Sequence, residues 1–403
     1  MNILFLTLLK IDTLQARGIY HDLMREFVAH QHNIYIISPT ERREKNASSL
    51  SSEQNAHFLN VKTLNIQKTN SVEKGLATLS IEYLYLYALK KYFKNVKFDL
   101  VLYSTPPITF SKVIQYVKLR DGAKSYLLLK DIFPQNAVDM KLMSKNGLIY
   151  KVFRAKEKKL YEVSDFIGCM SEANRQYVLA HNPTVNPLKV EVNPNSIAPI
   201  PYVSLSEEEK TLIKEKYKLP LNRKIFIYGG NLGIPQGLDF LLQTIEATKN
   251  DPRIYFLIVG SGTEFTRIQN WFKENKPQNA QLLFGVPKIE YDRLVKSCDI
   301  GMIFLHKDFT IPNFPSRLLS YLEAKLPVLV AADGNTDVGT EVEKNQCGKY
   351  VLAEDAAQMK KALDYFCDLT AGEFLTLGEN CSTYLEENFL VSQSYEKIIN
   401  KLK

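Results

Sequence analysis

The sequence predicts an α/β protein of two doubly wound domains, each a parallel sheet flanked by helices. Three observations predict it. The chain has 403 residues, more than one hydrophobic core usually serves. Short apolar runs recur through both halves and are continuous rather than alternating, the pattern of strands buried on both faces. Helical patterns separate many of them, and strand–helix alternation builds parallel sheets.

The runs of the first half are 2–6, 33–38, 98–104, 125–129 and 165–171. Those of the second half are 224–230, 253–262, 280–285, 299–305, 327–332 and 349–353. "RGIYHDLMREFVAHQH" and "IEYLYLYALKKYFKN" read as intervening helices. The stretch 191–210 is rich in Pro, Asn and Ser, ends in an acidic helix start, and reads as the linker. The expected domains are 1–198 and 199–383, with a last helix over 384–403 returning to the first. The polar segment 41–57, "ERREKNASSLSSEQNAH", has no period and reads as a mobile loop. No internal repeat is found.

Composition narrows the function. A 45% apolar fraction is that of a globular protein. A net charge of +7 suits an anionic small substrate or an acidic membrane face. No basic tail, zinc-finger spacing or aromatic-studded RNA-binding strand supports nucleic-acid binding. The five cysteines lack C-x-x-C spacing, which points to a reducing compartment and no metal knuckle. The opening "MNILFLTLL" has no basic leader and reads as a first buried strand rather than a signal peptide. No apolar run reaches the length of a membrane span.

Ligands of doubly wound sheets sit beyond the C-terminal ends of strands, and two facing domains would make a cleft there. In "YGGNLGIPQGLDFLL", 228–242, a strand ends in Gly229-Gly230, a turn holds Gly233 and Pro235, and a helix is expected near Gln236. Such a loop can offer backbone N–H groups to phosphate, or it can be a tight turn without a ligand. "IVGSGTEFTRIQNWF", 258–272, lacks the third glycine of a dinucleotide fingerprint and reads as a packing turn. In "IPNFPSRLLSYLEA", 311–324, Arg317 enters the first turn of a helix, a place unfavourable for a cation unless an anion faces it. A pairing with Asp308 or with solvent is the alternative.

In the first half, "KTLNIQKTNS" and "STPPITF" are strand-end loops without clear chemistry. In "LKDIFPQNAVD", Asp131 follows an apolar strand directly. Its carboxylate could orient a hydroxyl or act as a base, or it could be a cap. The stretch 145–165 reads as a basic amphipathic helix, in which Lys151, Arg154, Lys156, Lys158 and Lys159 surround Leu148, Ile149, Val152, Phe153 and Leu160. It could lie on anionic lipid or be a solvated face.

These loops, in this order, resemble the GT-B glycosyltransferases, and within them the retaining family 4 enzymes of bacterial surface-polysaccharide assembly (capsule, O-antigen or exopolysaccharide). Arg17-Gly18 stands at that family's Gly-Gly turn and "QHNI" at its "GHEV" turn. "KDIFPQ" is similar to the "D-x-x-P-E" segment of the branch that includes N-acetyl-fucosamine transferases, and "VNPNSI" to the "PNG" turn. The commoner donor-loop Arg and Lys are replaced by Asn231 and Gln236, and the family's Glu pair falls on Pro312 and Ser320.

The resemblance implies a retaining hexosyltransferase that uses a nucleotide diphosphate sugar, UDP-linked by preference, with no cofactor and no metal. The acceptor would be a lipid-linked or growing glycan, met at the cytoplasmic face of the plasma membrane. The donor phosphates would meet Gly18, Gly230, Asn231, Gly233, Gln236, Ser316 and Arg317. Asp131 would lie on the acceptor side, with Lys151, Arg154, Lys158 and Lys159 facing acceptor or membrane. A non-hydrolysing nucleotide-sugar epimerase of the same fold, or a catalytically silent partner of a transferase, are the rival readings.

Overall fold

The computed structural model describes residues 1–402 apart from 67, 68, 70 and 203. The chain forms two compact units, Met1–Ala198 completed by the segment from Leu390 onward, and Pro199–Phe389.

The first unit holds strands β1 (Asn2–Leu6), β2 (Asn33–Glu41), β3 (Ser49–Glu53), β4 (Ala56–Thr63), β5 (Leu100–Ser104), β6 (Lys124–Leu129), β7 (Phe166–Cys169) and β8 (Val190–Val192). They form one sheet in the order β3-β4-β2-β1-β5-β6-β7-β8. All neighbours are parallel except β3, which pairs antiparallel with β4. The second unit holds β9 (Lys224–Asn231), β10 (Ile254–Ser261), β11 (Ala280–Phe284), β12 (Ile300–Phe304), β13 (Val328–Ala332) and β14 (Gly348–Leu352). Their order is β11-β10-β9-β12-β13-β14, all parallel. Counted from its own first strand this order is 3-2-1-4-5-6, the doubly wound arrangement whose direction reverses between the first and fourth strands. In this unit that point lies between β9 and β12.

The central apolar runs are buried on both faces as the pattern requires, with β5, β12 and β13 buried at every residue, while the edge strands β11 and β14 are only partly buried. An Asp precedes three of the strands and ties the start of the sheet. Asp99, before β5, accepts from the Asn2 amide at 2.7 Å; Asp165, before β7, from Ser125 at 2.9 Å; and Asp299, before β12, from Ile225 at 2.8 Å. These carboxylates satisfy strand-end amides that a buried sheet would leave unpaired.

Two expectations are corrected. Segment 41–57 is not a featureless loop, because it contains β3 and the start of β4. β3 is an edge strand with Leu50 exposed, and an edge strand needs no apolar period. The hairpin turns at Gln54, whose φ is +51°. The linker stretch begins with β8, and Ile197 forms a bridge to Leu390. The return to the first unit comes at Leu390, since Ala371–Asn388 is one helix packed against the Arg317–Glu323 helix. Part of the strand-end loop 62–71 lies outside the described residues.

β9 and β10 run so close at their ends that a Cβ on Gly260 would lie 2.0 Å from the Gly230 carbonyl oxygen. A Gly260→Ala variant is therefore expected to lose at least about 2 kcal/mol, read as a lowered denaturant midpoint.

Candidate functional site

Two segments of the second unit leave adjacent strands at its reversal point, Gly229–Gln236 spanning the last residues of β9 and the loop after it, and 305–316 after β12. The first does not run straight into a helix at Gln236. Ile234–Gln236 is a single 3-10 turn, Gly237 takes φ +56°, and the helix is Leu238–Ala247. Only glycine suits position 237, because a Cβ there would lie 2.8 Å from the Leu305 carbonyl oxygen. The His306 amide donates to the Pro235 carbonyl at 3.0 Å, joining the two loops.

Several amides of the glycine loop are already committed. Gly229 donates to the Tyr321 hydroxyl at 3.2 Å, Leu232 to the Ser261 carbonyl at 2.9 Å and Gln236 to Gly233 at 3.0 Å. Those of Gly233 and Ile234 donate to no acceptor among the described residues. Gly230 is exposed at φ +120°, and Asn231 is exposed with its amide nitrogen 2.9 Å from where a Gly233 Cβ would stand. Gly260 and Gly262 are packing glycines, as expected, with Gly262 leaving no room for a Cβ beside the Leu232 backbone.

Arg317 opens the Arg317–Glu323 helix and points back at this loop. Its Nη2 donates to Gln236 Oε1 at 2.7 Å, and its guanidinium carbon lies 4.2 Å from the centroid of the Tyr228 ring. A Cβ on Gly230 would be 3.7 Å from Nη2. Among the described residues Asp308 does not pair with it, and Arg317 is only half-exposed to solvent. Nη1 is buried and unpartnered among the described residues. Burial opposes the charge, but Tyr228, Tyr321 and Tyr291 outweigh it and hold the pKa above its ordinary value. Burial itself raises the Tyr321 hydroxyl to about 12, so this wall stays neutral at physiological pH. Gln236 thus serves Arg317, and Ser316, exposed, caps the helix through backbone alone. Arg317, Gln236, Gly230, Gly233 and Asn231 come together here; the aromatic wall was not read from sequence, although Tyr228 directly precedes the glycine pair.

The first unit arranges its residues differently. Gly18 precedes the Ile19–Ala29 helix, and its amide faces Asp22 Oδ1 at 3.4 Å. Both oxygens of Asp131 accept from Asn136 Nδ2, at 2.9 and 2.7 Å, and its amide donates to Thr105 Oγ1. The neighbouring Lys130 is the residue that sequence reading missed. Its Nζ is half-buried just past the end of β6 and donates to the Asn193 carbonyl at 3.2 Å. Burial lowers its pKa to about 7. The only signal was a lone Lys closing the run "YLLLK".

Comparison with known proteins bears on the second unit most directly. Residues 209–374 match the family model described as Glycosyl transferases group 1. A Pseudomonas aeruginosa protein named "Probable glycosyltransferase WbjE" is 22% identical over 336 residues, 82% of this chain and 80% of that protein. Among solved structures, Anabaena Alr3699/HepE in complex with UDP has a TM-score of 0.69 at 13% identity, covering 100% of this chain and 99% of that one. WaaG, a glycosyltransferase involved in lipopolysaccharide biosynthesis, has a TM-score of 0.64 at 12% identity and covers 98% of each chain. At such identities the structural likeness is one of fold, and that fold is GT-B, two Rossmann-like sheets. The loops around Arg317 lie inside the residues that match this family model.

The basic helix of the first unit spans Leu148–Val163. Phe153 and Leu160 pack inward, while Leu148, Ile149 and Val152 are exposed. Of the four basic residues expected to face outward, Lys151 and Lys158 are exposed. Arg154 is instead tied to Glu157 at 2.6 Å and to Asn182 at 2.7 Å, and Lys159 lies 3.2 Å from Glu162. Among the described residues no helix is long and apolar enough to cross a membrane, and no group of three or more His, Cys, Asp and Glu could hold a metal ion.

Lys130 supplies a stability test. Its pKa falls from 10.5 to about 7 on folding, so between those values the unfolded chain binds more protons and stability rises with pH. The wild type is expected to gain roughly 3 kcal/mol from pH 7 to pH 10 relative to Lys130→Met, which denaturant unfolding at the two pH values will measure.

Proposed function

We propose that this protein is a retaining hexosyltransferase that takes its sugar from a nucleotide diphosphate donor, UDP-linked by preference, without a metal ion. The carrying observation is the half-buried guanidinium of Arg317, fixed by Gln236 and the Tyr228 ring with its Nη1 buried and unpartnered among the described residues. A buried charge without a counter-charge is costly. A diphosphate beside Gly230 would supply that counter-charge, and the free amides of Gly233 and Ile234 would supply hydrogen bonds. The same groups would meet the charge that grows on the leaving diphosphate. In the reaction the bond between the sugar C1 and the phosphate oxygen breaks. A bond from C1 to the acceptor oxygen forms on the same face, and the acceptor proton passes to the departing phosphate. No protein base is then needed, which agrees with an Asp131 carboxylate occupied by Asn136.

The acceptor in this reading is a lipid-linked glycan of bacterial surface-polysaccharide assembly, met by the first unit at the cytoplasmic membrane face. Support comes from exposed Leu148, Ile149 and Val152 beside Lys151 and Lys158. The Leu148–Val163 helix packs against Ser111–Asp121, which packs against Ser71–Tyr92. That last helix exposes Leu76, Leu79, Tyr83 and Tyr87 along one stripe, with Lys112 over the Tyr83 ring at 4.3 Å. Tyrosine and lysine beside apolar side chains suit a headgroup layer.

Titration calorimetry with UDP, GDP and dTDP tests the donor site. One of them is expected to bind, and Arg317→Ala to weaken it about ten- to hundredfold; unchanged affinity would return the protein to the catalytically silent class. For the membrane face, a Lys151→Glu/Lys158→Glu variant is expected to bind anionic phosphatidylglycerol vesicles at least about tenfold more weakly in co-sedimentation.

A further inference from the structure

Among the titratable groups that the donor reading leaves unused is the half-buried Lys130. It opens on a narrow recess at the C-terminal end of β6, large enough for about one water-sized group. Tyr20, Leu128, Asn195, Ser196 and Ser394 are among its other walls. In this sheet the winding direction reverses between β1 and β5. The recess lies beside that reversal, between the end of β6 and the start of the helix that follows β1, where doubly wound sheets take ligands.

Tyr20, Ser196 and Ser394 bring hydroxyls that can donate or accept, so the two polar groups of fixed role, Lys130 and Asn195, narrow what fits. Lys130 Nζ has one hydrogen bond among the described residues, to the Asn193 carbonyl at 3.2 Å. Asn195 Oδ1 is buried and accepts none among them. An anion would meet the carbonyl oxygen of Asn195, and phosphate exceeds the space. A cation would meet the amine. An apolar group would leave both polar atoms unsatisfied. A hydroxyl satisfies both, because it accepts from the amine and donates to the carbonyl oxygen.

We propose that this recess seats one hydroxyl of a sugar, held between Lys130 Nζ and Asn195 Oδ1, the rest of the sugar lying outside. The identification of that sugar as the acceptor rests on the glycosyltransferase reading; the hydroxyl seat itself does not. Its rival occupant is water, which fits the same two bonds.

The test uses the full chain and a panel of methyl glycosides of glucose, galactose, mannose and N-acetylglucosamine at tens of millimolar. At least one is expected to raise the melting temperature of the wild type by mass action. Lys130→Met, which removes a poorly solvated amine and so should fold, is expected to bind it about tenfold more weakly. Asn195→Ala provides the second arm, with the same direction of change. In transfer assays Lys130→Met is expected to raise the acceptor KM and leave the donor KM unchanged. No shift of the wild type by any glycoside, or equal binding by wild type and Lys130→Met, would mean water alone and would overturn the proposal. Loss of glycoside binding in Lys130→Met without any transfer by the wild type would uphold the hydroxyl seat and remove the glycosyltransferase reading.

Discussion

A parallel sheet covered by helices on both faces can meet solvent only at its strand ends. Everything functional in this chain follows from that constraint. β5, β12 and β13 are buried at every residue, so no chemistry can sit on the sheet faces. The start of the sheet is closed by the carboxylates of Asp99, Asp165 and Asp299. The opposite ends stay open, and there the chain places glycine, lysine and arginine. Where the winding direction reverses, the β9 and β12 loops meet through the His306 amide and the Pro235 carbonyl, and Arg317 reaches back to the first of them.

Arg317 is placed by crowding as much as by charge. Gly237 lets the first loop press on Leu305, and Gly260 lets β9 and β10 touch. Tyr291 closes on Gly229, where a Cβ would lie 1.8 Å from its hydroxyl oxygen. These contacts fix Tyr228 and Gln236, which in turn fix the guanidinium. The β9 loop offers two neutral amide side chains, Asn231 and Gln236, and one cation reaches back to it from the β12 side. One of those amides, Gln236, has become the cation's support.

The eleven apolar runs were legible as strands because each is unbroken, a pattern that burial on both faces leaves in the central strands and that the partly buried edge strands β11 and β14 share. β3 was not legible, since an edge strand such as "SLSSE" carries no period, and β8 is too short to show one. Arg317 could be singled out because a cation in the first turn of a helix is electrostatically odd. Its partners could not, because a stack on Tyr228 links residues far apart in sequence. Asp131 looked chemical by its position after a strand, and its tie to Asn136 depends on a local turn. Lys130, one residue earlier, was overlooked because burial of an amine is a property of the folded chain. The four outward lysines and arginines expected on the Leu148–Val163 helix divided into two exposed and two paired once Glu157 and Glu162 were in place.

The helix Val391–Asn400 belongs to the first unit, packing Tyr395 against Phe27 and His30 on the Ile19–Ala29 helix. During synthesis the stretch 199–389 therefore emerges as an uninterrupted piece and can close its core by itself. The earlier-made half must wait, with Phe27 uncovered, until residues beyond 390 leave the ribosome. Birth order and completion order are thus inverted, and the half made first is the one most in need of a chaperone's shelter.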